Sequence, residues 1–247
     1  MKSRNILIHV LFIFLFGQTS YGILTIPDDT EYILEATESI CSVGKNSTLT
    51  VQEGGWINEL YLNTGSNLIM NGGYIASTFS SINTAVVINA GEIESLGVQS
   101  GEINGGHVGS VGFSKIGYVK GGIIRELYAG SLLEITGGSI NHLIVAGTET
   151  NVNIFSVGIS NLYIQVDGTA SIFARQFKLD GEDIEYGTLF ANGDVQVHTL
   201  EYQLENGQVG QVEINLIYDA SLVLIPEPAT VFLLGLGCMA LRRKILK

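Results

Sequence analysis

Cysteine, proline and positive charge are all scarce in this 247-residue chain, which has two cysteines, three prolines and 12 basic against 24 acidic residues. Cys238 lies in an apolar C-terminal segment, so Cys41 has no disulfide partner in the body of the protein, whose stability must come from packing. Within Ser39-Ile40-Cys41-Ser42-Val43 that thiol reads as a small buried apolar residue. Long hydrophobic runs are missing as well. The two terminal apolar stretches, residues 6–16 and 229–241, hold eleven and thirteen residues, against the roughly 20 that a helix needs to cross a bilayer core. His107, His142 and His198 stand alone, with no cysteine or histidine at metal-ligand spacing. Neither a Gly-x-Ser-x-Gly nucleophile turn nor a phosphate-cradling glycine loop occurs.

What is present at the two ends is an address. Lys2 and Arg4 precede the N-terminal apolar stretch, and Ser20-Tyr21-Gly22 offers small residues for cleavage after Gly22, so residues 1–22 read as a secretory signal peptide. At the other end Pro226 and Pro228 lack amide hydrogens and break the chain before the apolar residues 229–241. Arg242, Arg243 and Lys244 then form a basic stop, which the positive-inside rule keeps on the cytoplasmic side. This order resembles the PEP-CTERM tail of exported bacterial proteins. The resemblance implies that Pro226, Glu227 and Pro228 are recognised by an exosortase-type membrane enzyme. It also implies a short transmembrane segment at 229–241 that holds the protein transiently at the inner membrane, with cleavage near the Pro-Glu-Pro. Residues 23–225 then keep six basic and 23 acidic residues, a net charge of −17. Such a surface repels nucleic acid and anionic lipid.

Between residues 54 and 168 lie 21 of the 31 glycines, within a six-residue pattern of apolar, any, small, Gly, any, Ile. Uninterrupted copies are Met70 to Ile75, Ile88 to Ile93, Val98 to Ile103, Val119 to Ile124 and Ile135 to Ile140, and Val51 to Ile57 is a copy with one insertion. The motif glycines are Gly55, Gly73, Gly91, Gly101, Gly122 and Gly138. A glycine fixed at this place suits a corner of positive φ or a close backbone crossing. After the Ile, a Leu-x-apolar step recurs, as in Leu60 and Leu62, Leu96 and Val98, or Leu143 and Val145, and a period of two is that of a strand with one buried face. Strand, corner, strand at intervals near 18 residues predicts an all-β fold, a right-handed parallel β-helix of about six turns; an antiparallel β-sandwich is the alternative. The expected organisation is an N-terminal cap at 23–48, solenoid repeats at 49–168, a C-terminal β cap at 169–224 with turns at Asp180-Gly181 and Asn192-Gly193, and the sorting tail at 225–247. Residues 50–165 also resemble the Gly-Gly-x-Ile arrays of bacterial surface proteins, where the resemblance implies a scaffold without catalytic residues.

Candidate chemistry is sparse. Sugar cleavage would need paired carboxylates or an acidic cluster beside a base, and only Glu92, Glu94 and Glu102 with Lys120 or Arg125 come near that pattern. Asp180, Glu182, Asp183 and Glu185 form the densest acidic group, a weak calcium site at most, since the twelve-residue calcium loop is absent. Trp56, Tyr61, Tyr74, Tyr118 and Tyr128 lie beside the corners, where stacked turns could align them into a strip that stacks on sugars. The expectation is an exported, non-enzymatic protein of the cell envelope, surface or extracellular matrix. Family resemblance implies exopolysaccharide or biofilm as its setting; the residues themselves indicate no cofactor beyond weak calcium, and the competing class is a β-helix lyase or glycoside hydrolase.

Overall fold

The computed structural model describes residues 22–156, 158–190 and 194–227. Residues 1–21 of the expected signal peptide, residues 229–241, the Asn192-Gly193 turn and Arg242 to Lys244 lie outside the described residues. Among the described residues twenty strands form one continuous sheet, wound into a β-solenoid of about eight turns.

Each turn contributes to two parallel ladders. In the first, Leu24, Cys41, Leu60, Thr78, Leu96, Val111, Leu127, Leu143 and Leu162 succeed one another, so the eight successive turns hold 17, 19, 18, 18, 15, 16, 16 and 19 residues. A tenth level follows at Ile214, after a 52-residue excursion. The second ladder stacks Leu34, Val51 and Met70 onto Ile88 at one end, and Ile103, Val119, Ile135, Ile154, Ile172 and Leu224 at the other. Asn104 and Gly105 N–H groups donate to the Ile88 carbonyl and carry this ladder across the join. All of these second-ladder side chains are buried, each contributing about 1.5–3 kcal/mol by leaving water. Ten levels at about 4.8 Å give an axis of roughly 43 Å.

Three strands, Asn67–Ser80, Ala85–Ile103 and His107–Val119, run through a corner from one ladder to the other. Glycine makes one of these corners possible. Gly55, Gly73, Gly91, Gly106, Gly122 and Gly138 each precede the paired residues 56, 74, 92, 107, 123 and 139. Gly122 has φ +85°, and a Cβ there would lie 2.9 Å from the Gly105 carbonyl oxygen. A side chain is therefore excluded by the adjacent turn as well as by the backbone angle. Gly101 is not in this column. It pairs with Gly117 on the second ladder, and Gly106 takes the corner.

The opposite corner is closed by buried hydroxyls: Ser47, Ser66 and Thr84 are fully buried, and they donate to the carbonyls of Pro27, Asn63 and Ser81. On the surface, Asn104 donates to Asn89 and Asn89 to Asn71, at 2.9 and 2.8 Å, a ladder of side-chain amides along the axis.

Stacking extends beyond residues 49–168, and the expected six turns become eight. Ile23–Ile26 and Glu31–Leu34 pair in parallel with Thr37–Val43 and Thr48–Val51, so the segment read as an N-terminal cap forms the first levels. Thr169–Ala174 and Ser221–Pro226 pair in parallel too. Within 169–224 it is the intervening excursion that caps the stack: Gln196–Gln203 and Gly187–Phe190 run antiparallel along the final edge strands. That edge is no longer free to pair with another chain. The excursion has its own core in Phe177 and Tyr202, both almost fully buried, and the Tyr202 hydroxyl donates to the Ser156 carbonyl at 2.7 Å.

Candidate functional site

The last level delivers the tail. Ser221–Pro226 is the final strand, with Ala174 beside Pro226, so the first proline of Pro-Glu-Pro belongs to the solenoid. The Glu227 carboxylate accepts a hydrogen bond of 2.9 Å from the Glu205 backbone N–H. Proline suits this place because the strand ends there and asks for no further amide donor. Pro228 lies outside the described residues.

Residues 224–244 match the PEP-CTERM protein-sorting motif. The motif implies processing by an exosortase-type membrane enzyme, and it supports export with sorting at the membrane. No curated protein and no solved structure matches the chain. Among the described residues no helix is long and apolar enough to cross a membrane.

The aromatic residues divide into separate groups. On the first ladder Trp56 pairs with Tyr74, their ring centroids 4.2 Å apart and planes inclined at 30°. The Tyr74 hydroxyl donates to Glu94, and that bond, with some burial, pushes its pKa up to about 12. Five residues along the strand a second outward column begins with Tyr61 and Phe79, stacked at 5.0 Å and 17°. Thr78 pairs with Leu96, which puts Gly97 at the level after Phe79; Gly112 and then Tyr128 follow. Tyr61 and Tyr128 sit in the same short motif, Glu59-Leu60-Tyr61 and Glu126-Leu127-Tyr128. In both, the hydroxyl donates to the glutamate two residues back, at 2.8 and 3.0 Å, and this bond raises each tyrosine pKa. Tyr118 stands on the second ladder between Glu102 and Glu134. The single strip expected from the sequence is therefore two columns and one separate tyrosine.

Phe79, Gly97 and Gly112 were not legible as site residues. Phe79 follows Thr78, which breaks the Leu-x-apolar signature of its neighbours. The glycines could have been found by alignment of the copies: Leu96-Gly97-Val98 and Val111-Gly112-Phe113 carry glycine where Leu60-Tyr61-Leu62 and Leu127-Tyr128-Ala129 carry tyrosine.

The carboxylates do not meet. Glu92 lies on the first ladder beside His107, whereas Glu102 lies on the second and pairs with Lys120 at 2.9 Å. That ammonium group, helped by Asn104, lowers the Glu102 pKa. Arg125 approaches Glu126 at 3.9 Å. Asp180 occupies the two-residue turn with Gly181, at φ 50° and 89°, that joins Gln176–Leu179 to Glu182–Ile184. Its carboxylate accepts from the Thr199 N–H and contacts His198 Nδ1, both at 2.8 Å, and these bonds, the backbone one foremost, lower its pKa. Asp183 is paired across the strands with Lys178. Among the described residues no group of three or more His, Cys, Asp or Glu side chains converges as a metal site.

Proposed function

We propose that this chain is a non-enzymatic surface or extracellular-matrix protein, cut from its tail at the membrane and serving a structural or adhesive role in exopolysaccharide or biofilm. The observation that carries this reading is the PEP-CTERM motif at 224–244, which begins within the last solenoid strand. The fold suits the role. A capped stack of parallel turns is a rigid rod whose outward columns are repeated along its length. The net charge of −17 on residues 23–225 favours solubility and repulsion between free copies.

The test is mass-spectrometric mapping of both termini, in envelope and medium fractions, from cells with and without the sorting enzyme. The expected product begins near Ile23, ends near Pro226 to Pro228 only when the enzyme is present, and is recovered with extracellular polysaccharide. Retention of residues 229–247 in both strains would refute the processing. A mature protein that never co-purifies with polysaccharide would refute the matrix role.

A further inference from the structure

The outward column of the first ladder contains a gap shaped by two glycines, Gly97 and Gly112, and over it lies a cleft of about 640 Å³ whose walls include Ile82, Tyr128 and Ile144, with Phe79 outside the lining, next to Ser80 at its edge. That volume is within the usual range for small-ligand sites. Tyr61 stacks on one face of Phe79, so the Phe79 ring lies across the axis with its other face turned to the level of Gly97. Phe79 is 51% exposed although it is a large apolar ring. Three levels, or about 14 Å, separate Phe79 from Tyr128, and the two levels between them carry no side chain. Neither glycine is there for backbone reasons. A Cβ on Gly97 would meet nothing within 4 Å, one on Gly112 would only touch the Tyr128 Cβ at 3.9 Å, and neither has positive φ. In a strand, such glycines cost stability and mark a place where something else approaches the backbone.

The chemistry of the lining selects the ligand. Ser80, Ser81, Ser114 and Gln99 fringe the cleft and no charged side chain lines it; the Ser80 hydroxyl donates to the Gly97 carbonyl, the Ser81 hydroxyl shares a hydrogen bond with Thr64 and Gln99 Oε1 accepts from the Asn83 N–H, which leaves the Gln99 amide N–H groups and the hydroxyl lone pairs to a ligand. Elsewhere the outward columns are rich in carboxylates, among them Glu59, Glu92 and Glu126. A free aromatic face, a bare floor and neutral hydrogen-bonding groups match the apolar face and hydroxyl rim of a sugar ring. The acidic surroundings disfavour an anionic one. We infer that the cleft over Gly97 and Gly112, lined by Tyr128 and bordered at its edge by Phe79, binds an uncharged oligosaccharide, one pyranose ring lying over the two glycines against the exposed Phe79 face. This names the ligand class and the site for the proposed matrix role, and it rests on that reading.

The test is calorimetric titration of the processed protein with neutral hexasaccharides of glucose, mannose, galactose and N-acetylglucosamine, and with oligogalacturonate as the anionic comparison. At least one neutral oligomer should bind and oligogalacturonate should not. Gly112→Val, which fills the floor of the cleft, and Phe79→Ala should each weaken binding at least tenfold. Trp56→Ala and Tyr118→Ala, outside the cleft, should change it less than twofold. Thermal melting checks each variant, and Gly112→Val should fold because its backbone angle accepts valine. Binding that survives unchanged in folded Gly112→Val, or the absence of any neutral ligand, overturns the inference. Concentration-dependent self-association abolished by Gly112→Val would overturn it too, in favour of a second copy as the occupant. Failure here with normal processing and matrix recovery leaves the proposed function standing; failed processing overturns that function whatever the cleft binds.

Discussion

Thr78 is the polar member of an otherwise hydrophobic inner column, placed between Leu60 and Leu96. It is 7% exposed, and its hydroxyl oxygen has no hydrogen-bond partner. An unsatisfied buried hydroxyl costs about 1–3 kcal/mol. Thr78→Val keeps the β-branched shape that suits a strand and replaces the hydroxyl with a methyl. The change should therefore stabilise the protein by about 2 kcal/mol, or about 4–8 °C in Tm for a chain of this size. Urea denaturation followed by far-UV circular dichroism measures it, with a higher midpoint and an unchanged slope expected. Thr78→Ser, which keeps the hydroxyl and loses the methyl, should lower the midpoint. If Thr78→Val leaves the midpoint unchanged or lowers it, the hydroxyl is satisfied in solution and the accounting of this column is wrong.

Gly122→Val should destabilise by about 2–4 kcal/mol, combining left-handed backbone strain with the Gly105 carbonyl contact; Gly97→Val should cost less than about 0.5 kcal/mol, and equal melting of the two would refute the corner argument. Cys41 is buried, and burial, with Glu38 as a smaller cause, raises its thiol pKa to about 12. Native protein should accordingly resist a thiol-specific reagent at pH 8 and react only on unfolding. Because the folded thiol keeps its proton while an unfolded one loses it above roughly pH 8.5, stability should fall from that pH upward, and Cys41→Ala should flatten the slope. Ultraviolet titration of Tyr74 should show a transition near 12, shifted down towards the ordinary tyrosine value by Glu94→Gln; no shift would remove Glu94 as the cause.

The solenoid was legible because its two requirements are local. A corner that crosses a neighbouring backbone needs glycine, and a half-buried strand needs alternation, so Gly73 with Ile75 or Gly122 with Ile124 announces itself in six residues. The ends were not legible by the same signal. The first turn bends at Glu35-Ala36 without a glycine pair, and the last level is reached only after 52 residues. Which glycine of a turn occupies the corner is likewise a matter of register: Gly101 fits the hexamer yet sits on the other ladder. The sorting motif, read by resemblance to PEP-CTERM tails, is matched at residues 224–244; it was legible because its signal is a linear order of prolines, a short apolar run and basic residues that does not depend on the fold. The cleft was hidden because it is made by missing side chains, whose adjacency exists only once the turns are stacked.

The turns here range from 15 to 19 residues and still keep one register, because the differences are taken up where the chain rounds its corners. Such a molecule can be lengthened or shortened in the gene by a whole turn at a time. Each edit changes its reach by about 4.8 Å and leaves the capped end and the exit of the tail as they are. Reach and destination are thus inherited independently, and a lineage could tune how far this rod extends without altering how it is delivered.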